Sequence, residues 1–190
     1  MYKIQKNPSA IRSQTRIMNT LLSLLKNGYL FRNLTISEIA AKAKIVRKTF
    51  YSNFDCKEDI IYFILDRAFE LFVKNINLDE GNYAMIFFGL YSFLHKHQDW
   101  LKIFYDNDLI FFAQKYITKH IVDEELYLKH QRLVLSEDKY WYYKYLPSQV
   151  MSIVCTTITN WIENGFQESP KQLGKLSEDL LLGKLWNNQN

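Results

Sequence analysis

The sequence predicts an all-α protein. Three observations predict it: apolar residues recur at three- and four-residue spacing along nearly every segment, helix-starting and helix-ending residues stand at the segment ends, and very little alternates as a half-buried strand would. At 190 residues with 48% hydrophobic content, the chain can build one large domain or two small ones. Its aromatic content of 16%, concentrated after residue 80, needs burial. No internal repeat or low-complexity segment interrupts the pattern. The longest apolar runs, such as Ile60 to Leu65, fall far short of the roughly 20 residues that span a bilayer, and no charged and apolar leader is visible. The expected location is the cytoplasm, with no membrane partner.

The first helix is expected over Ser9 to Lys26, where Ile17, Leu21, Leu24 and Leu25 share a face, and Asn27-Gly28 supplies a stop. Thr35 and Glu38 then form a capping box, and Ile36, Ile39, Ala40 and Ala43 follow on one face. The small alanines let a second helix pack close. Lys44 and Ile45 form a turn, after which Val46 to Asn53 supplies a short helix with Arg47, Lys48, Thr49 and Tyr51 near its start. These side chains donate to phosphates and base edges. Phe50 and Phe54, four apart, read as packing.

A second capping box, Asp55 with Glu58, is expected to open a long linking helix through Ile60, Ile61, Ile64, Leu65, Ala68 and Phe72, until Asn75 to Asn82 interrupts it. Lys57 falls in its first turn, where an ammonium and unpaired backbone N–H groups pointing the same way hold a phosphate. A solvent-facing lysine on a capped helix is the plainer reading. The expected domains are 1–56 and 57–190.

Later helices are expected at about 82–97, 99–106, 108–134, 137–165 and 170–186, with Pro147 kinking or dividing the fourth of them. Gly165 closes that helix and Ser169-Pro170 caps the next, so the last two form an antiparallel hairpin.

Charge is unevenly placed. Residues 1–60 hold 11 Lys or Arg against 4 Asp or Glu, a net +7, whereas residues 61–190 hold 13 against 16, a net −3. The positive field coincides with the two-helix motif, which points to nucleic acid. Lys3, Lys6, Arg12 and Arg16 extend it, either along a DNA backbone or minor groove or as a solubilising tail.

The residues Thr35, Ile39-Ala40, Ala43, Thr49-Phe50-Tyr51, Phe54 and Lys57-Glu58 resemble the DNA-binding domain of the TetR (tetracycline-repressor-like) family of bacterial regulators. The resemblance covers about the first third of the chain. Two positions depart from it: Lys44 stands at the usual turn glycine, and Val46 at the usual capping serine. The resemblance implies a three-helix helix-turn-helix domain and a C-terminal helical bundle that forms a two-fold homodimer on a pseudo-palindromic double-stranded DNA operator. Such a dimer matters because one short recognition helix reaches only a few base pairs. Within that scheme Thr35, Thr49, Tyr51 and Lys57 fix the backbone register, while Arg47 and Lys48 contact bases. The hairpin takes the dimer role, with Val150, Val154, Ile158, Trp161, Leu180, Leu181 and Leu185 near the interface. The run Trp161 to Phe166 with Ser169-Pro170 resembles a C-terminal domain type common among Gram-positive TetR-like regulators.

The resemblance also implies a repressor released by an unknown small-molecule effector in the second domain. Phe87, Phe88, Tyr91, Phe93, Phe104, Tyr105, Phe111, Phe112 and Tyr116 either line an aromatic cavity or fill a core, and bundle helices need such faces regardless of ligand. His95 with His97, and His120 with Glu124, are the only metal-like pairs. Residues two apart on a helix diverge by about 200°, which argues against the first unless the helix ends there, and no cofactor or metal is expected. Cys56 and Cys155 match no ligand or redox spacing and read as free thiols. No nucleophile with a base, phosphate loop or strong metal motif points to an enzyme. The alternative function is a DNA-silent relative acting as a coactivator through a protein partner, which Lys44 and Val46 motivate.

Overall fold

The computed structural model describes residues 2–74, 83–123 and 140–184, and among them every regular element is helical. The helices are α1 (Pro8–Lys26), α2 (Ile36–Lys42), α3 (Arg47–Tyr51), α4 (Glu58–Lys74), α5 (Tyr83–Lys96), α6 (Gln98–Asp106), α7 (Ile110–Asp123), α8 (Tyr140–Glu163) and α9 (Pro170–Leu181). A 3-10 turn over Phe31–Asn33, which the apolar periodicity did not announce, precedes α2. The chain divides into two compact units, Met1–Leu71 and Phe72–Asn190, so most of α4 packs with the first. No described helix is long and apolar enough to cross a membrane.

In the first unit, Asn7 caps α1 by accepting the Ser9 N–H at 2.9 Å, with Pro8 at the first helical position. Gly28 ends the helix at φ 84°, where its own N–H and that of Tyr29 donate to the carbonyls of Leu25 and Leu24. The buried stripe of α1, Ile17, Leu21, Leu24 and Leu25, belongs to a core with Phe31, Leu34, Ile39, Ala40, Phe50, Phe54, Ile60, Ile61 and Phe63. Phe54 lies 5.8 Å from Phe50 and 5.9 Å from Phe63 between ring centres, which bonds α3 to α4 through aromatic edges. The start of α4 differs from the expected box. The Asp55 N–H donates to the buried Asp59 carboxylate at 2.9 Å, one residue further along than Glu58.

In the second unit, the core gathers Phe87 and Tyr91 of α5, Met151, Val154, Cys155, Ile158, Trp161 and Ile162 of α8, and Leu173 of α9. Helices α6 and α7 pack on α8. Helix α9 was expected to pair with its predecessor as a hairpin, but its principal neighbour is α5. Small residues explain the choice. A Cβ at Gly174 would stand 2.9 Å from the Phe88 backbone nitrogen, so only glycine lets the two helices approach this closely. One turn on, the Ser177 hydroxyl hydrogen-bonds the Tyr91 hydroxyl at 2.7 Å in the buried seam. Trp161 packs edge-on against Tyr91 at 6.0 Å and Phe166 at 5.1 Å, and its indole N–H donates to the Glu168 carbonyl at 2.9 Å. Ser169 and Gln172 close a capping box at the start of α9.

Other expectations resolve unevenly. Helix α8 runs unbroken through Pro147, which therefore does not divide it. Of the aromatic set, Phe87, Tyr91, Phe104 and Tyr116 are buried, whereas Phe88 and Phe111 are exposed. Trp161, Ile158 and Val154, expected near a dimer interface, are buried in the core of the second unit. The break at 75–82, the C-terminal end of the helix expected at 108–134, the start of that expected at 137–165, Glu124 and Leu185 lie outside the described residues, as does the His120 side chain.

Candidate nucleic-acid interface

The interface is built on α2, the turn after it, and α3. Helix α2 starts at the expected capping box: the Thr35 hydroxyl accepts the Glu38 N–H at 3.2 Å, while the Glu38 carboxylate accepts the Thr35 N–H at 2.8 Å and its hydroxyl at 2.7 Å. The hydrogen bonds from the Thr35 hydroxyl and N–H hold the Glu38 carboxyl below its ordinary value. The helix ends at Lys44, which adopts φ 53°, in the left-handed region where glycine is usual. Its N–H donates to the Ala41 carbonyl at 3.0 Å and the Ile45 N–H to the Ala40 carbonyl at 3.0 Å. That pair of bonds is a Schellman closure. Lysine thus makes the turn a glycine would make, with a side-chain penalty of roughly 1–2 kcal/mol.

Val46 occupies the N-cap of α3 in an extended conformation and makes no side-chain cap bond. Beyond it Arg47, Lys48 and Tyr51 are exposed, Thr49 is half-buried and Phe50 is fully buried. The alternation follows the helical period, with Phe50 and Phe54 inward and the cations outward. The Arg47 guanidinium stands 6.0 Å from the centre of the Tyr51 ring, a cation–π spacing that orients both side chains.

Lys57 is placed differently from the expected phosphate grip. Its ammonium donates to the carbonyls of Phe31, Arg32 and Leu34 at 2.9, 3.1 and 2.8 Å, and lies 4.8 Å from the Phe31 ring centre. An ammonium has three protons, and all three are taken by the carbonyls around the 3-10 turn. Thr35 is likewise engaged, by its own cap. Among the expected site residues, Arg47, Lys48 and Tyr51 are the ones whose polar ends stand exposed on one short helix.

A strap that periodicity did not reveal crosses the far end of α3. The Lys3 N–H donates to the Asn53 carbonyl at 3.0 Å, the Lys3 ammonium to the Tyr51 carbonyl at 2.6 Å, and the Gln5 amide to the Ser52 carbonyl at 3.0 Å. A cation and two further donors thereby meet the carbonyl end of α3, where the helix dipole favours positive charge. Buried Gln14 of α1 secures the strap by donating to the Lys3 carbonyl at 2.7 Å. Tyr2 ties it to α4, through a hydrogen bond to Asp66 and an edge contact with Phe63 at 5.2 Å. The one sequence signal was Gln14 itself, a polar residue three before Ile17 on the apolar stripe. Lys3 is therefore part of the scaffold, whereas Arg12 and Arg16 stay exposed.

In the second unit, His95 stacks on Trp161 at 5.6 Å and His97 lies against Phe93 at 4.8 Å, so the two imidazoles serve separate aromatic contacts. Cys56 and Cys155 are free thiols, and burial pushes Cys155 up to about 11.

No protein-family model matches the chain, and no curated protein matches it. Among solved structures, the dihydroxyacetone kinase operon activator DhaS is similar, with a TM-score of 0.53 and 19% sequence identity, over 92% of this chain and 96% of that one. What this likeness shows is the architecture: the described residues form an all-helical fold similar to that of DhaS.

Proposed function

We propose that this chain is a sequence-specific DNA-binding transcriptional regulator that works as a homodimer on a pseudo-palindromic duplex in the cytoplasm. The observation that carries the reading is the closed turn between α2 and α3. With Lys44 in the left-handed conformation, its own N–H and that of Ile45 close both backbone bonds of the turn, so Arg47, Lys48 and Tyr51 stand exposed while Phe50 and Phe54 anchor the helix. The same observation favours DNA reading over a DNA-silent coactivator, since that alternative needs Lys44 and Val46 to spoil the motif.

In this scheme Arg47 and Lys48 read base edges, while Thr35, Thr49 and Tyr51 set the register against phosphates. Lys57 serves mainly from behind, by holding the 3-10 turn; a direct phosphate contact requires one of its protons to leave a carbonyl. Dimerisation uses α8 and α9, where Leu176 and Leu180, four apart, are left exposed. A small-molecule effector bound in the second unit releases a repressor by preferring a DNA-incompetent form, because only differential affinity shifts such an equilibrium. The description of DhaS as an operon activator favours a second reading of the sign, in which the same DNA contact activates.

The test is selection of bound sequences from a random duplex pool with purified protein, followed by salt titration on the winner. The expected result is an enriched palindrome whose affinity falls steeply with salt. Arg47→Ala and Lys48→Ala should then lose discrimination between sites. Absence of enrichment would overturn the reading in favour of the protein-partner alternative.

A further inference from the structure

A second feature of the first unit lies along α1. An open cleft of about 810 Å³ is lined by Arg12, Thr15, Arg16 and Asn19 of α1, together with Tyr29 beyond the end of that helix and Lys42 at the end of α2. Three cations enter this concavity and no carboxylate lines it. The sequence explains why: no Asp or Glu occurs before Glu38, although Lys3, Lys6, Arg12, Arg16, Lys26 and Arg32 all fall in that stretch. Among the described residues, none of the three cleft cations has a carboxylate within ion-pair distance. Arg12 and Arg16 are also four apart on one helix, a spacing at which like charges repel. At the same spacing Lys102 is matched by Asp106 and Lys175 by Asp179. A concave wall focuses the field of unmatched charges, and hydroxyl and amide groups between them supply further hydrogen bonds.

We propose that this cleft binds a phosphate-bearing ligand, with Arg12, Arg16 and Lys42 meeting its anionic groups and Thr15 and Asn19 bonding its oxygens. The volume accommodates a chain of two or three phosphates. Such phosphates come either from a free polyphosphate-bearing small molecule or from the backbone of a duplex. The proposal does not rest on α3 reading DNA, because the cleft and the recognition helix use different residues.

The experiment is calorimetric titration of the full chain with inorganic tripolyphosphate, repeated on Arg16→Gln/Lys42→Gln and on Lys171→Gln, an exposed lysine of the second unit. Each protein is also titrated with a random-sequence duplex across a salt series. All three altered residues are exposed, and unchanged melting temperatures check that the variants fold. The double variant should weaken tripolyphosphate by about tenfold or more, with Lys171→Gln unchanged. Displacement of tripolyphosphate by duplex identifies the backbone as the source, and its persistence identifies a free ligand. Loss of duplex affinity in the double variant alone, with a salt slope lower by about two, supports the backbone source even without tripolyphosphate binding. Equal losses in Lys171→Gln, or no tripolyphosphate binding together with unchanged duplex affinity, would overturn the proposal. Failure of α3 to select an operator leaves the tripolyphosphate result standing, so the two ideas fail separately.

Discussion

Lys57 donates to the carbonyl of Phe31, twenty-six residues back, at 2.9 Å, while its ammonium rests 4.8 Å from the centre of that residue's ring. Lys57 precedes α4 rather than standing in its first turn as expected, and it fastens the head of that helix to the 3-10 turn that delivers the chain into α2. A small unit has little area with which to hold itself in place, so such a polar clamp matters more here than in a large domain.

The clamp predicts that Lys57→Met destabilises the first unit. The substitution keeps the stem and its packing on Phe31 but leaves three carbonyls without their charged donor, which costs about 2 kcal/mol. Urea unfolding read by amide protection in α2 and α4 checks this. A variant of unchanged stability that loses affinity for every duplex alike would instead make Lys57 a phosphate contact.

Lys44 and Val46 are two positions at which the local sequence works against the observed backbone. Lys44→Gly removes a side chain from a left-handed position and should stabilise by about 1 kcal/mol. Val46→Ser supplies the missing cap of α3 and should add about 1 kcal/mol. The two positions are only two residues apart in one turn, so any departure of the double variant from the sum of the increments measures their coupling. Thermal melts of the two single variants and the double variant decide it, and a destabilised Lys44→Gly would mean that the lysine side chain holds the turn in some other way.

These positions also show what was legible in the chain. The Thr35–Glu38 box, the Gly28 stop, the Ser169-Pro170 start and the inward pair Phe50 and Phe54 were readable because each depends on neighbours within four residues. The strap from Lys3 to Asn53, the grip of Lys57 on the 3-10 turn and the pairing of α9 with α5 were not, since each joins residues far apart in sequence. Spacing reports which face of a helix is apolar, but not which neighbour covers it. That is why a hairpin was expected where Gly174 in fact admits α5. The candidate base-contacting residues were legible as a cluster, whereas the engagement of Thr35 and Lys57 within the scaffold needed coordinates.

Gly174→Ala tests the close approach directly. The added methyl would lie 2.9 Å from the Phe88 nitrogen and 3.3 Å from the Ala84 carbonyl oxygen, both backbone atoms that cannot swing aside. Overpacking of this kind costs typically about 1–3 kcal/mol, and here it outweighs the better helix propensity of alanine, which contributes about 1 kcal/mol the other way. The second unit should therefore melt earlier, followed through the fluorescence of buried Trp161. An unchanged or raised melting temperature would show that α5 and α9 can separate without loss.

The capping box at the head of α2 makes a prediction about pH. The Glu38 carboxyl is held below its ordinary 4.5, first by the hydrogen bond from the Thr35 hydroxyl, then by that from the Thr35 N–H, with the Lys57 charge adding in the same direction. A carboxylate with a lowered folded value contributes stability that is present above the unfolded value and lost as pH falls through the folded one. Glu38→Gln preserves the shape of the box, because an amide oxygen also accepts those bonds, but removes the charge. The wild-type advantage over Glu38→Gln should accordingly be constant above about pH 6 and shrink on acidification toward about pH 3. Parallel melts of the two proteins across that range measure it. A difference that does not change with pH would show that the Thr35 bonds hold Glu38 by shape alone, without preference for its ionised form.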